Sequence, residues 1–368
     1  VTLAAARIER LFIRGFRNLE EVTLECGPAF NVITGENGAG KTSLLEAIAY
    51  LSTLGSFRGA KTEDLILIGH ERALLRAKVS GDPLPRELRV ELGRATPRAL
   101  SLDGKRPRNH RLWQGALPTV LFHPGELTLS AGAAEGRRAF LDAALEQMDP
   151  AYGAALAAYS KALRSRNRLL KDERIDERAV RAYEPVLAQT GAIVGQARAR
   201  FTEELSPVVE SAFTEITADV MPLALKYEPR VTPTEAAIAA ALDGSRAKDL
   251  LRGFTVEGPH GDDLAFIVRG DTRARHHVSQ GQHRVIVLAL KVAELDLLSR
   301  YVGSVPVLLL DDVSSELDRA RNKSFFDVLA RRGGQVFLTT THAEYIQLSD
   351  RRLDVAVAGG RVQRRETS

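Results

Sequence analysis

Apolar positions along the chain follow two different periods, and the switches between them divide it. Arg10 to Phe16 and Val22 to Glu25 are short β-like runs, and Ala29 to Thr34 is an apolar run ending at Gly35, which predicts a buried strand. From Ser43 to Leu51 the apolar residues Leu44, Leu45, Ile48 and Ala49 take helical spacing. Strand-like stretches return at Ala73–Val79, Glu87–Leu92 and Val120–Phe122. The character changes near Gly136. From Arg137 to about Val220 the chain is rich in Ala, Leu, Arg and Glu, with apolar stripes at Phe140, Leu141, Ala144, Leu145 and at Leu156, Tyr159, Leu163, Leu170. This predicts a helical subdomain with an antiparallel helix pair. Thr234–Leu251 is also helical in pattern. A strand at Leu264–Val268, a helix from about Ser279 to Leu298, a strand at Val307–Leu310, a helix from about Ala320 to Arg331 and a strand at Val336–Thr340 complete the series. Strands alternating with helices indicate a parallel sheet. The expected fold is therefore α/β, with 1–130 and 255–368 forming the two ends of one sheet domain and 131–254 inserted as a mainly α-helical subdomain.

Composition narrows the class. The chain has 368 residues, 44% hydrophobic and 27% charged, which fits a soluble globular protein rather than a disordered one. No apolar run approaches the roughly 20 residues that span a bilayer, and Val1–Arg10 lacks the basic-then-apolar pattern of a signal peptide. The expected setting is thus cytoplasmic, with no membrane partner. A lone cysteine, Cys26, excludes an internal disulfide and reads as a small buried hydrophobe. The formal charge of +4 permits DNA or anionic phosphate as a partner. Arginine carries most of the positive charge, and its planar fork suits phosphate.

Gly35-Glu36-Asn37-Gly38-Ala39-Gly40-Lys41-Thr42 matches the phosphate-binding loop G-x-x-x-x-G-K-[ST]. Its glycines let successive backbone N–H groups turn toward phosphate, Lys41 supplies a charge to the β and γ phosphates, and the Thr42 hydroxyl is suited to Mg²⁺. A helix opening at Ser43 would aim its positive end at the same anion. A Gly-rich turn can match the pattern by chance, but the strand before and the helix after supply the required context. The apolar run Val307–Leu310 followed by Asp311-Asp312 is a Walker B arrangement, with Asp311 toward Mg²⁺ and Asp312 polarising the attacking water. Such acids can also merely cap a helix, and the P-loop decides between the two.

Ser279-Gln280-Gly281-Gln282 opens the helix before Walker B and resembles the ABC signature L-S-G-G-Q, with Gln280 in place of the first glycine. A serine at a helix start is ordinarily only a cap, but the order relative to Walker B points to ABC ATPases. In that class the signature meets the nucleotide of a partner subunit, which implies an ATP-dependent homodimer with Ser279, Gln280 and Gly281 contacting ATP in trans. Ser315-Glu316-Leu317-Asp318 resembles the D-loop, adding Asp318 to the trans set, and His342 stands where a γ-phosphate-sensing histidine is found. No glutamine marks a Q-loop, and Phe122, His123 and Pro124 are the candidate substitute.

The helical insertion is longer than in transporter subunits and far shorter than the coiled coil of structural-maintenance-of-chromosomes proteins. Over nearly the whole chain the sequence resembles the bacterial RecF family of recombination-mediator ATPases. The resemblance rests on Gly15-Phe16-Arg17-Asn18-Leu19, on the P-loop through Ile48, on Gly55-Ser56-Phe57-Arg58 and on Arg137-Arg138-Ala139-Phe140-Leu141-Asp142. It continues through Gly258-Pro259-His260, Ser279 to Arg284, Asp311-Asp312 and Ser315 to Asp318. It implies an ATP- and Mg²⁺-dependent DNA-binding dimer, without sequence specificity for duplex or gapped DNA, that works with RecR and RecO to load RecA. The implied settings are gap repair, replication restart and the SOS response. It places Arg17 and Asn18 beside the nucleotide, with Ser43 in the cradle. Gly261 departs from the Arg usual after Gly-Pro-His, and Glu126 is displaced from the acid usual right after the proline. DNA-contact candidates are the basic clusters Lys105, Arg106, Arg108, Arg111 and Arg164, Arg168, Lys171, although each also fits an ordinary solvated face. The alternatives are a transporter-type ATPase subunit and a DNA-clamping nucleotide switch with negligible turnover.

Overall fold

A computed structural model describes residues 4–80, 84–108, 112–113, 115–217, 221–313, 317–342, 346 and 352–365. Ser315, Glu316 and Arg111 lie outside these described residues. The chain forms two units, one of Val1–Leu127, Ala212–Asp219 and Gln280–Ser368, the other of Thr128–Ser211 and Val220–Ser279. Residues 255–279, grouped by sequence with the C-terminal sheet segment, fall in the second unit. The reason is strand pairing: Asp263–Val268 runs antiparallel to Leu223–Glu228.

In the first unit a six-stranded sheet has the order Arg361–Arg365, Arg352–Ala358, Phe30–Thr34, Val336–Thr340, Val307–Asp311, Thr119–Phe122. All neighbours are parallel except the Arg361–Arg365 edge. Phe30–Thr34, Val307–Asp311 and Val336–Thr340 are buried at every position, as parallel strands covered on both faces must be. Register aligns Thr34 with Thr340, Asp311 with Thr339, and Leu310 with Phe122. The carboxyl ends of these strands therefore lie side by side, where open α/β sheets bind ligands. The hairpin Arg352–Ala358 and Arg361–Arg365 was not foreseen from sequence.

A five-stranded antiparallel sheet, Leu19–Glu25, Arg7–Phe16, Arg72–Ser80, Arg86–Gly93, Ala99–Leu102, belongs to the same unit. Its strands alternate buried and exposed, the mark of a sheet with one wet face. The helix Lys41–Thr53 contacts strands of both sheets, and all its residues but Thr42 and Thr53 are buried. A helix packed on every side cannot rotate, so its N-terminus is held in one place. The helix Gln280–Val302 is likewise buried without a break from Val285 to Leu295. No helix among the described residues is long and apolar enough to cross a membrane.

The second unit carries the helices Ala134–Met148, Pro150–Leu169 and Glu235–Arg252 and most of Glu184–Thr217. Its core contains ionic clamps. Arg137 forks onto both oxygens of Asp263 at 2.7 and 2.9 Å, and Arg198 onto those of Asp142 at 2.9 and 3.0 Å. Arg166 is fully buried against Asp249 at 2.8 Å and Glu184 at 3.2 Å. Such bidentate pairs are geometrically demanding and fix how helices meet. Arg137, Asp142 and Gly258-Pro259-His260, singled out by resemblance, thus hold the second unit together. Gly258 has φ 135°, and a Cβ there would come 2.6 Å from the Tyr159 hydroxyl. His260 meets Tyr159 Oη through Nδ1 at 2.5 Å and the Thr255 carbonyl through Nε2 at 3.0 Å. A carbonyl only accepts, so Nε2 carries the proton and Nδ1 accepts from the tyrosine.

Burial holds the His260 imidazole below its ordinary 6.5, with Arg138 adding to the effect and Asp262 and Asp249 opposing it. Its neutral form belongs to the fold, whereas the unfolded chain takes up a proton below 6.5. Stability therefore falls as pH drops below that value, by at most about 1.4 kcal/mol per pH unit for one such group. Urea midpoints between about pH 7 and pH 5 should decline in the parent chain and decline less in His260→Gln. Equal slopes would remove His260 from that dependence.

Candidate nucleotide-binding site

The loop between Phe30–Thr34 and Lys41–Thr53 is a strand–turn–helix, and the residue that caps the helix is Gly40 at φ 118°. A Cβ on Gly40 would lie 2.9 Å from Leu19 Cδ2, so the close approach of the Asn18-Leu19 segment requires glycine. No side chain caps this helix and no acid stands in its first turn, which leaves its amides to an incoming anion. The Lys41 ammonium donates to the carbonyls of Gly35 at 2.7 Å and Glu36 at 3.1 Å, so it lies folded over the loop. Ala39 N–H donates to the Glu36 carbonyl, and the Ala39 carbonyl accepts from Gly360, tying the loop to the unforeseen hairpin. Burial lowers the Lys41 pKa, against the pull of Asp312 and Asp311.

The acids stand at the end of Val307–Asp311. Asp311 Oδ1 accepts from the Thr42 hydroxyl at 3.0 Å and from the Thr339 hydroxyl at 2.7 Å. Thr339 Oγ1 in turn accepts from Asp312 N–H at 3.0 Å. Asp312 sits at φ 50°, a left-handed conformation that Asp tolerates better than most residues. One threonine on the neighbouring strand therefore fixes both acids. Sequence reasoning missed Thr339; polar residues ending an otherwise apolar strand were its only signal.

Arg17 and Asn18 also reach the site. Asn18 Nδ2 donates to the Gly38 carbonyl at 2.9 Å, and Ser43 donates to Asn18 Oδ1 at 2.7 Å. Arg17 forks onto Glu46 at 2.8 and 2.9 Å. Glu46 is fully buried inside the P-loop helix and also accepts from Ser56 Oγ. Ser56 Oγ accepts from the backbone of Arg58 and Ala60. Glu46 was missed as well; an acid amid the apolar stripe Leu44, Leu45, Ile48 was the available sign. A cavity of about 470 Å³ is lined by Arg17, Asn18, Asn37, Gly38, Gly40, Lys41, Thr42, Ser43, Asp311 and Asp312, with Arg58, Asp64, Ile66, Ile68, Thr339 and Thr341 completing it.

Not every expected residue converges there. His342 is exposed and lies outside that lining, its N–H donating to Thr340 Oγ1. Asp318 caps the helix Arg319–Arg332 through Arg321 N–H at 2.9 Å. Ser279 and Gln280 are exposed at the start of Gln280–Val302, with Gly281 next along it. His123 follows the strand that pairs Phe122 with Leu310, which puts it beside Asp311. Its ring packs on Phe57 at 5.1 Å, and burial lowers its pKa. Glu126 reaches His123 N–H with one oxygen and the Lys291 ammonium with the other, at 3.3 and 3.0 Å. Glu126 and Glu294 push the Lys291 pKa up to about 12 against the burial that would lower it. The displaced acid therefore still finds a cation, in the helix that opens with the signature. Lys105, Arg106, Arg108, Arg164, Arg168 and Lys171 are all exposed.

A magnesium ion fits the oxygen set. The Thr42 hydroxyl and Asp311 carboxylate are hard donors 3.0 Å apart, and adjacent oxygens around Mg²⁺ stand about 2.9 Å apart. Among the described residues no group of three or more His, Cys, Asp or Glu side chains is placed to hold a metal. The ion would therefore draw its other ligands from phosphate and water, as Mg²⁺ commonly does.

A P-loop helix clasped between two sheets, Walker B acids at the end of a parallel strand one removed from the P-loop strand, and a helical unit inserted in the chain define an ATPase head of the ABC and SMC type. The family model described as the RecF/RecN/SMC N terminal domain matches residues 7–363. The DNA replication and repair protein RecF of Myxococcus xanthus is 36% identical over 97% of both chains, and that of Anaeromyxobacter sp. is 39% identical over 92% of this chain and 93% of its own. The chain belongs to the RecF family. The solved recombination mediator protein RecF-ATP of the RecFOR pathway superposes with a TM-score of 0.89 at 29% identity, over 99% of each chain. The Smc head domain of Pyrococcus furiosus shares the fold, with a TM-score of 0.58 at 18% identity.

Proposed function

We propose that the chain is a weak, DNA-stimulated ATPase that closes into a head-to-head homodimer on DNA when it binds ATP and opens on hydrolysis. The observation that carries this is the Thr42–Asp311–Thr339–Asp312 constellation beside the P-loop, in a chain of the RecF family. Loop amides and Lys41 take the β and γ phosphates. Thr42 and Asp311 would hold Mg²⁺, which supplies charge neutralisation on the phosphate oxygens. Asp312 orients the attacking water, with its backbone fixed by Thr339. His123 is our choice for the Q-loop position, since it stands next to Asp311; His342 remains the candidate γ-phosphate sensor. Ser279, Gln280, Gly281 and Asp318 complete the partner's site in trans. The relatives' names carry DNA replication and repair, and the solved neighbour is a recombination mediator of the RecFOR pathway; we extend these to RecO- and RecR-like partners and to gap repair, replication restart and the SOS response.

Dimerisation with ATP, measured by analytical ultracentrifugation with and without DNA, tests this reading. ATP is expected to shift the chain to a dimer, and Ser279→Arg to leave monomer ATP affinity intact while blocking that shift. A variant dimer of ordinary strength would sink the signature assignment. DNA affinity of the ATP state should also fall with salt more steeply than that of the nucleotide-free state, because two aligned basic faces displace more counterions than one. Equal salt slopes would mean DNA is not held across the dimer.

A further inference from the structure

The five-stranded sheet keeps one face wet, and the charges on that face are ordered by strand. On the edge strand Leu19–Glu25, Glu21 and Glu25 stand opposite Arg14 and Arg10 of Arg7–Phe16. Arg10 in turn stands opposite Lys78 of the third strand, and Phe12 opposite Arg76. On the fourth strand Arg89 faces Arg76, with Glu87 and Glu91 two residues to either side of it. Thr23, Phe12, Arg76, Arg89 and Ser101 thus form a row across all five strands that contains no acid. The middle of the face is cationic, and carboxylates flank it on both sides.

Like charges directly opposite each other destabilise a strand pair, and a carboxylate bound between Arg76 and Arg89 would relieve their repulsion. Other cations of the face have partners: Arg10 reaches Glu25 at 3.0 Å, Lys78 reaches Glu9 at 3.5 Å and Arg89 reaches Glu91 at 3.5 Å. No ion pair among the described residues engages Arg14 or Arg76. The Arg76 guanidinium lies over the Phe12 ring, 5.4 Å from its centroid. Phe12 and Leu74, both half-buried, add apolar surface between the cations. Aromatic residues and arginine are the types enriched where proteins meet.

We propose that this face, centred on Phe12, Arg14 and Arg76, docks a partner protein through a segment with carboxylates in its middle and cations at its sides. This rests on the reading that the chain works with partner proteins. The complement of a positive centre with negative flanks is a negative centre with positive flanks. A protein segment can carry that pattern. A nucleic-acid backbone is negative throughout and would lie against the flanking carboxylates.

The test uses Arg14→Glu/Arg76→Glu, two exposed positions on the wet face, so the melting temperature should stay close to the parent's. Surface plasmon resonance would follow binding of the RecO- and RecR-like proteins of the same organism and of a thymidine oligonucleotide. The double variant is expected to bind one of the two proteins about tenfold or more weakly, chiefly through slower association. Oligonucleotide affinity and ATP-driven dimerisation should not change. Arg14→Lys/Arg76→Lys keeps both charges and should lose less; a loss as large as that of the Glu variant would take charge out of the contact and overturn the proposal. Any loss of oligonucleotide affinity gives the face to DNA, and a weakened ATP dimer gives it to a second copy of the chain; both overturn the proposal, as does unchanged binding of both proteins. A parent chain that binds neither protein overturns the partner reading and this proposal with it, whereas the ATP-driven dimer stands or falls on its own measurement.

Discussion

Replacing Lys41 with Ala is expected to weaken ATP binding by on the order of a hundredfold to a thousandfold, and to abolish ATP-driven dimerisation with it. Two loop carbonyls at 2.7 and 3.1 Å hold the ammonium over the phosphate loop. The substitution removes the ammonium set against Asp311 and Asp312 and leaves Arg17, already paired with Glu46, and Arg58 as the cations among the cavity's described lining. The fold should survive, since the side chain rests on loop carbonyls rather than in the core. Thermal melting separates the two effects. A ligand that binds only the folded state raises the melting temperature with its concentration. The ATP-free melting point should stay close to the parent's, and the ATP-induced rise should vanish. A variant that kept that rise and hydrolysed ATP normally would refute the P-loop assignment.

Asp312→Asn is expected to slow hydrolysis by about a hundredfold or more while ATP binding and dimer formation persist. Asn keeps the shape of Asp and tolerates the left-handed φ of 50° found here, so the Thr339 contact to the backbone N–H should remain. What disappears is the carboxylate proposed to orient water. Most ABC ATPases carry Glu at this position, and Asp is about 1.5 Å shorter in reach. Small misplacements at a reacting centre can cost on the order of a hundredfold, so the parent chain itself should turn over slowly. The decisive quantity is the lifetime of the ATP-bound dimer, read alongside phosphate release. If variant and parent dimers decay equally fast and release phosphate at the same rate, Asp312 does not orient the water. A parent with no measurable turnover would favour the nucleotide-switch alternative.

The two kinds of residue behind these expectations were not equally legible. Lys41, Thr42 and the acids at 311 and 312 announce themselves because their chemistry needs fixed residue types at fixed local spacing. The buried strands Phe30–Thr34, Val307–Asp311 and Val336–Thr340 were legible for a similar reason: a parallel strand covered on both faces must be apolar throughout. The hairpin Arg352–Ala358 and Arg361–Arg365 was overlooked because its signal is the weaker period-two kind, Leu353, Val355 and Val357 alternating up to Gly359-Gly360, rather than a continuous apolar run. Its Gly360 nevertheless anchors the P-loop through Ala39.

By itself, the sequence determined the α/β class, the phosphate loop, the pair of acids and the helical insertion, because each is written in neighbouring residues. Only the tertiary structure decided what holds them in register. Thr339 grips Asp311 and Asp312 from another strand, Glu46 aims Arg17 from within a buried helix, and Asp263 grips Arg137 in the second unit. Each of these contacts joins positions far apart along the chain. Period and local spacing carry no information about such partners; a hydrogen bond exists only once folding has brought its donor and acceptor within about 3 Å.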